Sequence, residues 1–286
     1  MRPTIILAVA LAVPRPVPLV AQSAKAQPDA LPYAIVDTGQ TQCYDADGRR
    51  MAPPKPGDRC NGQDAQYSGR APAYRNHGDG TVTDLQTGLM WTRDPGPKRT
   101  YAAAVAGAPA CRAGGHADWR LPSVKELYSL ILFSGTDPDP RHSTPDRLRP
   151  FIDTDHFAFR YGKAEDGDRI IDAQFASSTL YGSTTMFGMR TMFGVNFADG
   201  RIKGYPIGGG GPRPEKLYDT LYVRGNPLYG RNAFQDNGDG TVTDTATGLT
   251  WMQVDSGHLN AGPDRDGRLT WQQALDWAET LEYAGH

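Results

Sequence analysis

The chain has 286 residues, of which 33 are glycine and 23 are proline, so it has room for one large or two ordinary domains that are rich in turns. Its 30 basic and 32 acidic residues nearly balance, which excludes the broad basic surface of a nucleic-acid-binding protein. No apolar run of about 18 residues follows the N-terminal region, so no transmembrane segment is predicted.

Residues 1–26 are predicted to be a secretory signal peptide. Arg2 supplies a short positive region, an apolar segment runs from Ile5 to Val13, and Ala24-Lys25-Ala26 has the form of a cleavage site. The apolar segment is too short to cross a bilayer. We therefore expect an exported protein that is periplasmic, at the cell surface or secreted, with a mature chain that begins near Gln27.

Residues 27–70 form a leader that contains two of the three cysteines. Cys43 and Cys60 flank a loop that is rich in proline, glycine and charge and has almost no apolar side chains of its own. In an oxidising compartment a Cys43–Cys60 disulfide would order this loop, with roughly 3 kcal/mol from the reduced entropy of the unfolded chain. A metal site is not predicted here, because no further Cys or His lies nearby.

One motif occurs twice with the same internal spacing. GDGTVTD begins at Gly78, is followed by TGL and leads to Trp91; the same pattern runs from Gly238 to Trp251, 160 positions later. After a ten-residue insertion in the second copy the offset becomes 170, and it holds as far as Gly285-His286. A constant register on both sides of one insertion indicates an internal duplication.

Each copy of the motif predicts a β-meander. Asn, Gly and Asp form the turns, TVTD is a short β-branched strand, and the returning strand carries a tryptophan that packs inward. A calcium-binding loop is the competing interpretation of DNGDG. The first ligand position of such a loop would be Gln235, or Arg75 in the first copy, so the acidic ligand set is incomplete and no metal is predicted.

A helix is expected after the meander in each copy. In the second copy Thr270 and Gln273 form a capping box. The apolar face that follows consists of Trp271, Ala274, Leu275, Ala278 and Leu281. The equivalent helix of the first copy is weakened by Gly107 and Pro109. Cys111 falls on its apolar face, where we expect a buried, reduced and inert thiol.

The first copy continues with a second helix and then with strands. Ser123 and Glu126 form a capping box. The buried face of this helix is predicted to hold Val124, Leu127, Tyr128 and Ile131. Arg120 lies between two buried side chains, so we expect it to pair with an internal carboxylate or carbonyl group. Hairpin strands follow, and residues 71–225 are therefore predicted to form an α+β domain with two helices and short antiparallel strands.

The second copy, residues 229–286, is predicted to be truncated. Compared with the first copy, it lacks the equivalent of residues 117–224. The apolar faces of Trp251, Trp271 and Leu275 then lack their covering elements. We expect this copy to dock on another surface or to be poorly ordered.

The quoted segments together resemble the Lcl C-terminal domain family, also called domain of unknown function 1566. The resemblance is carried by DTGQTQCYDADG, GQDAQYSG, NHGDGTVTDLQTGLMWTRD, GGHADWRLPSVKEL, FASSTLY and FGVNFADGRIKGY. It implies an exported bacterial protein, commonly with tandem copies of the domain. The WRLPS segment and Glu126 are also similar to a signature of formylglycine-generating enzymes, which implies a C-type-lectin-like fold, here in one complete copy and one truncated copy.

The resemblance also has implications for function. The namesake domain of the family caps a collagen-like adhesin and binds sulfated glycans, whereas this chain has no Gly-X-Y repeat. Formylglycine-generating enzymes use a pair of late-chain cysteines, and no cysteine follows Cys111. The chain also lacks Gly-x-Ser-x-Gly and His-Glu-x-x-His motifs, so we predict neither an enzyme nor a cofactor.

Two basic clusters, one in the loop after the second helix and one behind a hairpin turn, are the candidate ligand contacts. The five predicted contacts are Arg141, Arg147, Arg149, Arg201 and Lys203, and His142 belongs to the first cluster. Solvated side chains without a ligand are the competing interpretation. Two functional hypotheses follow: a non-catalytic binding or adhesion module that holds an anionic glycan weakly and in a salt-sensitive way, and a structural or assembly component of an envelope protein complex.

Overall fold

The computed structural model describes residues 31–141, 144–185, 188–208 and 215–286. The predicted signal peptide and His142 lie outside the described residues. Within them the chain is mixed α+β, with three short α-helices and several antiparallel sheets, which confirms the predicted fold class. No described helix has the length and apolar character needed to cross a membrane.

The leader folds around a short hairpin. β1 (Cys43–Tyr44) pairs antiparallel with β2 (Arg50–Met51). The Asp45 carboxylate accepts hydrogen bonds from the backbone N–H groups of Asp47 (3.0 Å) and Arg49 (2.8 Å). The turn between the strands is therefore held by its own sequence.

The predicted Cys43–Cys60 disulfide is wrong: both thiols are free, and both are buried. The Cys60 thiol and its backbone N–H instead lie 3.4 Å and 2.8 Å from the side-chain oxygen of Gln272, to which they donate hydrogen bonds. The Gln63 amide links the two cysteine segments, because it accepts from the Tyr44 N–H and donates to the carbonyl groups of Tyr44 and Cys60. Hydrogen bonds, rather than a covalent link, order this loop.

The first copy of the motif forms the predicted β-meander. β3 (Tyr74–Asn76), β4 (Thr81–Asp84) and β5 (Met90–Thr92) are antiparallel neighbours. Val82 lies opposite Trp91, and both side chains are fully buried. The tryptophan thus packs inward, as the position in the motif predicts.

The first helix is as short as its sequence predicts. α1 (Tyr101–Gly107) begins where the Thr100 hydroxyl accepts a hydrogen bond from the Ala103 N–H, and it ends at Gly107. Cys111 follows the helix and is free, but it is half-buried rather than buried. It packs at the margin of the apolar cluster around α1.

The second helix, α2 (Val124–Tyr128), begins with the predicted capping box, in which Ser123 and Glu126 each accept a hydrogen bond from the other's backbone N–H. Its predicted buried face is wrong at Tyr128, which is 46% exposed, and Val124 is only half-buried. The helix ends at Tyr128, and the chain turns before Ile131, which is buried.

Four strands make up the sheet of the late hairpins. They are β6 (Gln174–Phe175), β7 (Leu180–Thr185), β8 (Met189–Asn196) and β9 (Arg201–Pro206), and β8 pairs with each of the other three. β10 (Val223–Arg224) then returns to the first sheet and pairs with β5. The beginning and the end of the domain are thereby joined in one sheet, in the order β10-β5-β4-β3.

Two apolar clusters stabilise this arrangement. The larger one combines the first sheet with side chains from α2, the late hairpins and the leader, and includes Leu89, Trp91, Leu127, Phe157, Phe175, Phe197 and Leu221. The smaller one surrounds α1 and includes Ala104, Trp119, Met192 and Tyr218. Fully buried aromatic and aliphatic side chains of this size supply most of the hydrophobic stabilisation of a domain.

Residues 229–286 form a second meander and one helix. β11 (Phe234–Asp236), β12 (Thr241–Asp244) and β13 (Leu249–Met252) are antiparallel neighbours, and Val242 lies opposite Trp251 just as Val82 lies opposite Trp91. α3 (Trp271–Thr280) starts with the predicted Thr270–Gln273 capping box.

This second meander is much less covered than the first. Trp251 is 55% exposed, and among the described residues no strand pairs with the outer edge of β13. α3 buries none of its residues, and it contacts the leader through polar groups: Glu279 accepts hydrogen bonds from Tyr67 (2.8 Å) and Asn61 (3.2 Å). The segment thus contacts the leader, but Trp251 and Trp271 remain 55% and 45% exposed, so this contact does not cover the predicted apolar faces.

Candidate functional site

The repeated motif builds turns. In the first copy one oxygen of Asp79 accepts hydrogen bonds from the backbone N–H (3.0 Å) and the hydroxyl (2.6 Å) of Thr81, which hold the pKa of Asp79 below its usual value. One oxygen of Asp84 accepts from the N–H groups of Gln86 (2.9 Å) and Thr87 (3.3 Å). These oxygens are therefore committed to the turns of the meander, while the second Asp84 oxygen is buried without a hydrogen-bond donor among the described residues.

The second copy uses the equivalent carboxylates in the same way. Asp239 accepts from the N–H (2.9 Å) and the hydroxyl (2.6 Å) of Thr241, and Asp244 accepts from the N–H of Ala246 (3.2 Å). A calcium ion in the DNGDG turn would have to compete with these hydrogen bonds. Among the described residues no group of three or more His, Cys, Asp or Glu side chains is placed to hold a metal ion.

Arg120 has the internal partner that its sequence position predicts. Its guanidinium group donates two hydrogen bonds to the carboxylate of Glu126, at 2.7 Å and 2.6 Å. Glu126 is buried, and the same carboxylate caps α2. The Arg120–Glu126 pair thus holds the WRLP segment against the helix.

The two predicted basic clusters lie next to each other. The loop that follows α2 hydrogen-bonds to itself between Thr136 and Arg149 (2.8 Å), and it joins the β8–β9 hairpin through the Phe151 N–H and the Phe197 carbonyl group (2.8 Å). Arg201, just after the hairpin turn, donates to Asp137 of the loop. The fold therefore brings the two segments into one surface, which we call the basic loop surface.

The cations of the basic loop surface fall into two groups. Arg201 forms ion pairs with Asp137 and Asp199, and Lys203 forms an ion pair with Asp199 at 2.7 Å. Asp199 is buried. Its ion pairs, together with that of Asp137, neutralise much of the positive charge of Arg201 and Lys203. The other three cations are exposed and form no ion pair with a described residue: Arg141, Arg147 and Arg149.

An apolar cleft is a second feature of the surface, and the sequence did not point to it. It has a volume of about 590 Å³ and lies between the leader, α2 and the second meander. Its aromatic lining consists of Tyr33, Tyr128, Phe133, Tyr229, Phe234 and Trp251. At its rim Lys125 donates a hydrogen bond to Asn232, which links α2 to the segment before β11. Four distant segments supply the lining, so no local pattern indicated it.

Comparison with known proteins identifies the domain. Residues 80–211 match the family described as the Lcl C-terminal domain. The match confirms the family that the motifs resemble over these residues. It covers β4 to β9, including both segments of the basic loop surface. No curated protein and no solved structure matches the chain.

Proposed function

We propose that this protein is an exported, non-catalytic binding or adhesion module with a C-type-lectin-like scaffold, in which residues 229–286 are a partial second copy of the domain. The duplication is supported by strand pairing: Val82 faces Trp91 in one meander, and Val242 faces Trp251 in the other. The helix that follows is capped by a threonine in both cases. The lectin-like scaffold is supported by the Arg120–Glu126 pair, which gives the WRLP segment a structural role.

The ligand that we propose is an anionic glycan, held at the basic loop surface. The observation that carries this proposal is the presence of three exposed guanidinium groups in one loop, those of Arg141, Arg147 and Arg149, with no carboxylate partner among the described residues. Guanidinium groups bind sulfate and carboxylate groups through paired hydrogen bonds. Loops on a rigid scaffold are also where binding proteins vary their contacts.

The five predicted contacts differ in whether they form ion pairs with the protein's own carboxylates. Arg201 pairs with Asp137 and so joins the loop to the hairpin, whereas Lys203 pairs with Asp199 inside the hairpin; both residues therefore stabilise the scaffold. The direct contacts of the ligand are then Arg141, Arg147 and Arg149. With so few free cations, binding is expected to be weak and to be lost as salt screens it.

The test is retention of the full chain on a heparin column at low salt. A variant with Arg141→Ala, Arg147→Ala and Arg149→Ala is compared with the wild type. The matched control is Arg59→Ala, Arg70→Ala and Arg75→Ala, which removes the same charge from exposed arginines elsewhere. We expect the first variant to elute earlier and the control to elute with the wild type. Equal elution of both variants would refute a local glycan site.

The alternative function, a structural or assembly component of an envelope protein complex, is supported by a different observation. Phe234 is 64% exposed and Trp251 is 55% exposed at the mouth of the apolar cleft. Contiguous apolar surface of this kind is typical of protein interfaces. A fixed protein partner that co-purifies with the wild type but not with Trp251→Ser, together with no heparin retention, would favour this alternative.

A further inference from the structure

A polar pocket lies apart from the basic loop surface and the apolar cleft. It has a volume of about 820 Å³. Three stretches of chain line it: residues 96–98 after β5, residues 160–174, and residues 216–219 before β10. A volume of this size is within the range of small-molecule sites in proteins.

The side chain of Asp219 is the most unusual group in this pocket. Its backbone is fixed, because its N–H donates to the Gln174 carbonyl group (2.9 Å) and its carbonyl group accepts from Ala176 (3.0 Å). The residue is 5% exposed, and one carboxylate oxygen is buried without a hydrogen-bond donor among the described residues. A buried acceptor without a donor is unfavourable, so a donor from outside the protein would stabilise it.

A second group in the pocket lacks a partner, and a third has no ion pair. The hydroxyl of Tyr161 is buried without a hydrogen bond, while its ring packs edge-on against Phe159, with the ring centroids 4.9 Å apart. Lys216 forms no ion pair with a described residue, and burial lowers the pKa of its ammonium group. This ammonium group lies 5.9 Å from the centroid of the Tyr218 ring. The pocket thus offers an unpartnered acceptor, an unpartnered hydroxyl that can donate or accept, and an ammonium donor with a single cation–π contact.

Most of the remaining charges of the pocket have partners, either in the lining or just outside it. Lys98 contacts the Asp168 carboxylate and the Asp172 carbonyl group, both at 2.6 Å. Arg160 donates to the Gly96 carbonyl group (2.6 Å). The lining holds Lys98, Arg160, Lys163 and Lys216 against Asp166, Asp168, Asp172 and Asp219, four cations against four carboxylates. Because these charges balance, the pocket has no net attraction for an anion or a cation.

We propose that this pocket binds an uncharged polyhydroxyl ligand, the ring of a neutral carbohydrate, with its hydroxyl groups on Asp219, Tyr161 and Lys216. Each sugar hydroxyl can donate one hydrogen bond and accept another, which matches the unpartnered groups of Asp219 and Tyr161 and the ammonium donor of Lys216. Apolar surface for the C–H groups of the ring is supplied by Pro97 and Leu217. The site shares no residue with the basic loop surface and does not depend on the proposed anionic ligand.

The test uses the full chain and three uncharged probes: D-glucose, D-galactose and N-acetyl-D-glucosamine. D-glucuronate and D-glucosamine are the charged comparisons. Binding is measured by saturation-transfer NMR and by calorimetric titration. We expect saturable binding of at least one uncharged probe and weaker binding of both charged ones. No saturable binding of an uncharged probe, or a preference for a charged one, would overturn the proposal.

Variants locate the site. Asp219→Asn is expected to weaken binding at least about tenfold, which corresponds to about 1.4 kcal/mol. Tyr161→Phe removes only the unpartnered hydroxyl and is expected to weaken binding several-fold. Tyr205→Phe is the matched control, because the Tyr205 hydroxyl is also buried and unpartnered but lies outside the pocket. If Asp219→Asn loses its near-ultraviolet circular dichroism, the comparison rests on the two tyrosine variants. Unchanged binding in Tyr161→Phe, or equal losses in both tyrosine variants, would overturn the assignment.

Discussion

The buried carboxylate of Asp219 has a measurable consequence for stability. Burial raises the pKa of Asp219 to about 6, from 3.8 for the exposed acid; Lys98 and Arg160 oppose the rise, and Asp168 and Asp94 add to it. Since one pKa unit corresponds to about 1.4 kcal/mol, the ionised carboxylate lowers the free energy of unfolding by up to about 3 kcal/mol. The replacement Asp219→Asn removes this charge and keeps the shape of the side chain.

The sign of the effect depends on pH. Below the unfolded pKa of 3.8, Asp219 is protonated in both states and costs nothing. As pH rises toward about 6, the unfolded chain loses its proton first, so ionisation favours unfolding and the wild type loses stability. Asp219→Asn is therefore expected to be more stable than the wild type at about pH 7.5, and to differ little from it near pH 3.5.

Urea unfolding followed by far-ultraviolet circular dichroism at both pH values measures this difference. The gain at the higher pH is expected to lie between about 1 and 3 kcal/mol, because the buried amide also lacks a complete set of partners. A variant that is less stable than the wild type at about pH 7.5, or equally altered at both pH values, would refute the account of Asp219 as a desolvated charge.

Three further predictions concern the scaffold. Trp91→Ala should lower the free energy of unfolding by about 3–5 kcal/mol, because Trp91 is fully buried. Trp251→Ala should lower it by less than about 1 kcal/mol, because that side chain is 55% exposed. Urea unfolding of both variants measures the difference, and equal losses would contradict it. Glu126→Gln should cost about 2–3 kcal/mol, since it breaks the pair with Arg120 and weakens the α2 cap, and an unchanged melting temperature would refute that role. Gln272→Ala removes the acceptor of the Cys60 hydrogen bonds. Amide hydrogen exchange should become faster in α3 but not in α2. An unchanged exchange rate in α3 would show that this contact does not hold the helix.

Local sequence signals predicted local structure well. Both capping boxes, Ser123–Glu126 and Thr270–Gln273, start helices as expected, because all of their hydrogen bonds join residues three positions apart. The turns of the repeated motif follow for the same reason. Arg120 finds its carboxylate only six positions away.

Predictions that required knowledge of distant residues were less successful. The Cys43–Cys60 bond was inferred from a loop without apolar content, but Gln63 and Gln272 supply the hydrogen bonds that order it. Arg201 remains a predicted ligand contact, but the sequence did not indicate its pairing with Asp137, which lies 64 positions away. A spacing pattern carries no information about which carboxylate will meet a given cation in the fold.

The polar pocket is also built from residues that are distant in sequence, and the sequence did not indicate it. Lys98, Tyr161 and Asp219 come from three separate loops, and each has an ordinary sequence context. What distinguishes Asp219 is its pairing between two neighbouring backbone segments, which places its side chain out of water with an oxygen unpartnered. A stability cost of this size is unnecessary for the scaffold, since an asparagine of the same shape avoids the charge. The Asp219 carboxylate is explained if a bound sugar supplies the hydrogen bonds that the folded protein does not give it. Removal of the charge in Asp219→Asn is then expected to raise the stability of the protein and to weaken sugar binding.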